Sequence, residues 1–317
     1  MGTTQVRAKK GNGLDELIQG LSVKTLEESK SVTRTGRSTF DVLLEKYDLL
    51  VQKGVNDQGV NTKERVIYLQ QEVVEILSPQ EITSLASVLY IHAEDYRPNF
   101  WYSEMEAQNI SMLLTRLIQN SYDAGNNHFL IDTTNMFSIY NTPSMNRLFE
   151  LGYGLTGRKE NPIHLNINGN PGTHFLTKAH YVKAAVQGSV DDFCGYKSKH
   201  LAVTISHDAK SLCGGHSYAS SFVIKGKVDC QLARNAKFSS FSMAKVHDWG
   251  LFSGRPYFCT FSSSCEQTVK ELLQHVPLGN KVVFIPSEGQ AEIRRIDHLR
   301  ERIPYYIKNE LPLLLQR

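Results

Sequence analysis

Residues Phe222–Lys245 read FVIKGKVDCQLARNAKFSSFSMAK, and this stretch decides the fold expectation. Phe222–Val228 is short, β-branched and aromatic, which is strand composition. A turn follows, and Lys237–Val246 then reads as a short helix. The same alternation extends to either side. Phe129–Asp132, Pro162–Ile167, Leu201–Ser206, Tyr257–Phe261 and Val282–Ile285 read as strands bounded by Gly, Asn or Pro. Leu176–Val186 and Glu266–Val276 read as further short helices. No unit of sequence repeats along the chain.

Upstream the apolar spacing is helical. Phe40, Leu43, Leu44, Tyr47 and Leu50 share one face, and Val66, Leu69, Val73, Ile76 and Leu77 repeat that spacing. Ser78-Pro79 opens another helix, with Glu81 placed to close a capping box. Met105–Ile118 is a further helix, ended by Gly125-Asn126-Asn127. Residues 1–37 carry few large apolar side chains and read as a flexible leader with one helical patch at Leu14–Leu21. The expectation is an α+β fold, with N-terminal helices followed by a mixed β-sheet with packed helices. It forms a single domain over 38–317, helical at 38–125, sheet-containing at 126–290, with C-terminal helices at 291–317 broken at Pro304 and Pro312.

A hydrophobic content of 41% and a charged content of 21% are those of an ordinary globular protein. A net charge of +3 with no strongly basic stripe gives no case for a nucleic-acid partner. No apolar run is long enough for a membrane span, and nothing in the composition specifies an oligomeric state.

All five cysteines and seven of the eleven histidines lie between His164 and Cys265, so chemistry is sought there. The cysteines stand 19, 17, 29 and 6 residues apart. That is neither a disulfide framework nor paired zinc ligands, and Cys213 with His216 lacks a second pair. Cys265 precedes a helix, whose N-terminus favours a thiolate, and Cys213 lies in a glycine-rich turn; each is a candidate nucleophile, although free cysteine is more often a small buried hydrophobe. His92, His275 and His298 read as structural. Asn168–His174 lacks the Lys-Ser/Thr of a phosphate loop, and Ser220-Ser221 and Ser239-Ser240 lack a nucleophile elbow.

Two stretches carry a resemblance. Leu165–Tyr181, LNINGNPGTHFLTKAHY, and Phe222–Lys245 are similar to the two catalytic stretches of the YopJ family, with a weaker similarity over Phe100–Tyr122. These are bacterial type III effectors that acetylate host proteins on Ser, Thr or Lys. The resemblance implies a cysteine-protease-like core, acetyl-CoA as donor, inositol hexakisphosphate as activator, and secretion into the host cytoplasm. It makes His174 the general base, Asp192 (or Asp191) the orienting acid and Gln231 an oxyanion donor. The nucleophile position holds Ala236, which cannot attack an acyl group, so an inactive form is implied. Arg255, Arg294, Arg295 and Arg300 are candidates for the activator's basic surface. Two other readings stand beside this one: a non-catalytic interaction or viral structural protein, and a cysteine hydrolase using Cys265 or Cys213.

Overall fold

A computed structural model describes residues 38–56, 62–93, 100–134, 148–246, 254–277, 279–287 and 289–296. The helical patch at Leu14–Leu21, His298, Arg300 and both C-terminal prolines lie outside the described residues. Residues from Leu43 onward cluster as one unit. Four helices lead: α1 (Thr39–Asn56), α2 (Thr62–Glu72), α3 (Pro79–His92) and α4 (Phe100–Asp123). The α3 capping box forms as its sequence requires, Ser78 accepting from the Glu81 N–H and Glu81 from the Ser78 N–H.

The remainder corrects the α+β expectation and its cysteine-protease-like core. Strands β1 (His128–Asp132), β2 (Ile163–Asn168), β3 (Val182–Gln187), β4 (Ala202–Ile205), β5 (Ser221–Val228), β6 (Ser240–Val246), β7 (Thr260–Ser263) and β8 (Lys281–Phe284) pair in chain order, every neighbour parallel. This is a β-solenoid, in which each coil lies directly on the one before. Helix α5 (Glu266–His275) interrupts it, and β9 (Glu292–Ile296) closes it antiparallel to β8. The C-terminal helix expected from Ile293 therefore begins as a strand.

The chain does repeat. Isolated bridges join His180, Lys199, Tyr218 and Lys237 in sequence, as they do Val190, Ala209 and Val228. Each step is 19 residues, the separation of the Ser211–Asp192 and Leu201–Ser220 hydrogen bonds. Position 1 of a coil is taken here as His174, Phe193, Leu212 or Gln231. The coil that begins at Gln231 is one residue longer, which places Tyr257 opposite Lys237 at position 7.

Two of the expected helices fall inside these coils. Lys237–Val246 becomes β6 because Phe241 and Met243 are buried while Ser240, Ser242 and Ala244 are not, a period of two. Leu176–Val186 becomes a run of turns leading into β3. Positions 1, 3, 5 and 8 of the four coils that begin at His174, Phe193, Leu212 and Gln231 are left-handed: His174, Leu176, Lys178 and Tyr181, then Phe193, Gly195, Lys197 and His200, and so on. Each non-glycine residue there costs about 1–2 kcal/mol. The offset is a hydrogen bond to an adjoining coil, as from the N–H of His174 to Asp192 and of His200 to Tyr218. At position 3 the side chain would point inward. A Cβ on Gly214 would stand 2.4 Å from the Phe241 ring, so a bulky ring inside and glycine outside are paired choices.

Inside, position 11 stacks Phe222, Phe241 and Phe261 at 5.2 and 5.4 Å. Position 9 carries Ser220 and Ser239, whose hydroxyls accept the N–H of Leu201 and Ser220 from the preceding coil. Position 6 holds the small residues Ala179, Ser198, Ser217 and Ala236 in four successive coils and Pro256 in the next. Helix α4 covers the first coil. Ser111, Thr115 and Gln119, one turn apart, accept the N–H groups of Phe149, Gly152 and Thr156.

Candidate functional site

His174 and Asp192 are neighbours, because position 1 of one coil lies beside position 19 of that coil. The His174 N–H donates to the Asp192 carbonyl at 2.8 Å. The Asp192 carboxylate is engaged elsewhere, accepting the Ser211 N–H at 2.9 Å. The imidazole is stacked on Phe193 at 4.4 Å and meets Phe149 edge-on at 5.4 Å. Burial lowers its pKa, against the smaller opposing pull of Glu150 and Asp192. Asp191 is buried and paired with Lys210 at 2.8 Å.

Gln231 occupies the same position as His174 three coils on, so roughly 14 Å separates their backbones at ~4.8 Å per coil. Its side-chain oxygen accepts from Arg234. Ala236 is fully buried in the small-residue column. The four residues are thus not brought together, and the alanine that breaks the family motif is the size its column requires. Of the candidate arginines, Arg255 is exposed at position 5. Arg294 pairs with Glu292 at 2.8 Å and lies over the Phe284 ring. The side chain of Arg295 lies outside the described residues.

The cysteines divide by burial. Cys213 stands one coil from Cys194 at interior position 2, and its thiol, together with burial, pushes the Cys194 pKa well up. Burial pushes Cys259 up to about 11. Cys265 is exposed as the N-cap of α5, and its pKa is lowered by the Thr268 backbone N–H and then by the Thr268 hydroxyl. Cys213 is interior and His216 exposed, and among the described residues no cluster of three His, Cys, Asp or Glu could hold a metal ion. Brief treatment of the native protein with iodoacetamide near neutral pH is expected to alkylate Cys265 first. Cys194, Cys213 and Cys259 should react only in denaturant, as read by peptide mass spectrometry.

The coils segregate charge by position. Between Thr173 and Ser264 the sequence has eleven Lys and Arg against five Asp, a net of +6, so the rest of the chain carries the opposite sign. The described aspartates of that segment, Asp191, Asp192, Asp208 and Asp229, all fall at positions 16–19. Positions 4–8 contain none. Position 5 reads Lys178, Lys197, His216, Asn235 and Arg255, and position 7 reads His180, Lys199, Tyr218, Lys237 and Tyr257.

Aromatic rings interleave with these cations. Lys178 donates to the Tyr153 hydroxyl and lies 4.9 Å from that ring's centre, Lys197 lies 5.2 Å from the Tyr196 centre, and Lys237 lies 5.9 Å from that of Tyr257. The pKa of His216 is lowered by burial and then by Lys197 and Arg234. That of His180 is lowered by burial and then by Lys199 and His200. Both histidines therefore feel the concentrated positive field. The sequence reading found no basic stripe because these lysines are nineteen residues apart.

No protein-family model matches the chain, and neither a curated protein nor a solved structure matches it. No described helix is long and apolar enough to cross a membrane.

Proposed function

We propose that this chain is a non-catalytic binding scaffold that holds an extended polyanion along positions 5, 7 and 8 of its coils. The observation behind this reading is the acid-free run of positions 4–8, in which Lys178, Lys197, Lys199, Lys237 and Arg255 occupy four of five successive coils and the middle coil carries His216. Lys178 and Lys197 stand one coil apart at position 5, and Lys199 and Lys237 two coils apart at position 7. Cations spaced in such steps of ~4.8 Å per coil suit a linear chain of anionic groups lying parallel to the solenoid axis. Such binding releases counterions and weakens steeply with salt. Fluorescence anisotropy with a labelled single-stranded oligonucleotide and with heparin, at stepped salt, tests it. Binding that falls linearly on a log–log salt plot supports the reading; no binding to either at about 50 mM salt overturns it.

Acyl transfer from acetyl-CoA under inositol hexakisphosphate control, which the resemblance implies, needs base, acid and nucleophile within hydrogen-bond reach. Residue 236 is buried instead. In an acetylation assay with acetyl-CoA and inositol hexakisphosphate, Ala236→Cys is expected to gain nothing over the unaltered chain.

The histidines give the proposal a pH signature. A bound anion favours the charged imidazole, so His180 and His216 take up protons on binding. Affinity is expected to rise as pH falls from about 7.5 to about 5.5. Stability of the free protein runs the other way. His174, His180 and His216 have folded-state pKa values below the ordinary 6.5. The unfolded chain therefore binds more protons, and stability is lost as pH falls through 6.5 toward those lower values. Urea melts with and without the oligonucleotide at the two pH values read both effects.

A further inference from the structure

We propose that the cavity over Ala219 is a nucleobase site, which makes the polyanion a single-stranded nucleic acid; this rests on the polyanion reading above. Position 8 reads Tyr181, His200, Ala219, Phe238 and Phe258. Tyr181 and His200 are stacked at 4.7 Å and 5°, and Phe238 and Phe258 at 5.3 Å and 9°. Ala219 interrupts this outer aromatic column where a fifth side-chain ring would stand. Tyr218, from position 7, spans the interruption edge-on, its centre 5.9 Å from His200 and 5.6 Å from Phe238.

Over Ala219 lies a cavity of about 540 Å³ walled by all four position-8 rings, within the size range of small-ligand sites. Its other wall is a row of hydroxyls, Ser221, Ser240 and Thr260, with Lys159 also lining it. Phe238 is 47% exposed. Aromatic walls select a flat ring. The Ser240 hydroxyl donates to that of Ser221 at 3.0 Å, which leaves the Ser221 hydroxyl to donate to the ring's polar edge and the Ser240 oxygen to accept from it.

The lining contains no carboxylate and no carboxamide, the groups that would hold the hydroxyls of a neutral sugar. Cations instead adjoin the rings in sequence, Lys199 before His200 and Lys237 before Phe238. Stacking surfaces beside a cationic track are how single strands are bound without regard to sequence. In a duplex the base would first have to leave its stack, so a single strand is the form that fits.

Fluorescence anisotropy on the full chain with four labelled probes tests this: a 12-residue oligothymidine, its duplex with oligoadenosine, an abasic phosphodiester of the same length, and a heparin fragment. The oligothymidine is expected to bind at least about tenfold more tightly than the other three. Ala219→Phe completes the aromatic column in a left-handed conformation that its aromatic neighbours already adopt. Circular dichroism should show it folded, and it should bind oligothymidine and the abasic strand alike. Phe238→Ala is expected to shrink the same difference from the other wall. Equal binding of oligothymidine and the abasic strand by the unaltered chain would overturn the base site while leaving the polyanion reading intact. Tighter binding of heparin or of the duplex would overturn the single-strand assignment, and binding of none of the four would overturn both readings.

Discussion

Phe241→Ala is expected to lower the stability of the solenoid by about 4 kcal/mol, within the range for emptying a buried phenylalanine site. Phe241 is fully buried and stacked between Phe222 and Phe261, so truncation strands two rings at once. The neighbouring coils cannot close the void, because each is held to the next by a continuous parallel ladder. Phe238→Ala removes a ring of the same size from the outer column, where it is about half exposed, and should cost roughly 1 kcal/mol. Urea unfolding of the two variants side by side measures the contrast. Similar losses for both would mean that position 11 is not the core of the coil.

Joint replacement of Lys197, Lys199 and Lys237 by alanine should weaken polyanion binding by about a hundredfold near 100 mM salt. The log–log salt slope should become shallower by about two units, as loss of three phosphate contacts on a single strand requires. None of these lysines contributes to the buried column of rings, so the thermal melt should move little. Replacing Lys225, Lys227 and Lys245, at positions 14, 16 and 15, removes the same charge from a different part of the coil. It should change affinity by only a few-fold. Equal losses from the two triples would reduce the proposal to net charge alone.

Most of the helical part could be read from its residues, although the helix expected through Leu77 ends at Glu72 and leaves Ile76 exposed. The stripe of α1 and the Ser78–Glu81 box each act within a few residues, and local spacing reports local structure. Strands β1, β2, β4, β5 and β8 were legible for the same reason, whereas β3, β6 and β9 lie where helices were expected. The solenoid was not, because its rule concerns size and burial at a separation of nineteen residues, whereas identity at that separation is free. Position 2 accepts Phe175, Cys194, Cys213 and Leu232; position 6 accepts Ser198, Ser217 and Ala236. The turns were hidden too. Left-handed positions normally announce themselves as glycine or asparagine, and here His, Lys, Leu and Phe fill many of them. Cys194 and Cys213 drew attention as reactive groups and proved to be interior fillers. Lys197, Lys199 and Lys237 read as ordinary solvated lysines in the sequence, and the coils gather them on one set of positions, with Tyr218 between Lys199 and Lys237. Cys265 kept the setting its sequence suggested, at a helix start.

The two ends of the coil stack carry a consequence of their own. A row of parallel strands with identical spacing is the arrangement of an amyloid filament, which grows because every terminal strand invites another copy. At one end α4 meets the first coil with Ser111, Thr115 and Gln119, side chains answering backbone groups that a preceding coil would have answered. At the other, β9 runs antiparallel with Glu292 and Arg294 exposed along it, presenting charge and the wrong polarity to any incoming strand. Over the described residues the stack is in this sense a short filament, met by a helix at one end and by a reversed strand at the other.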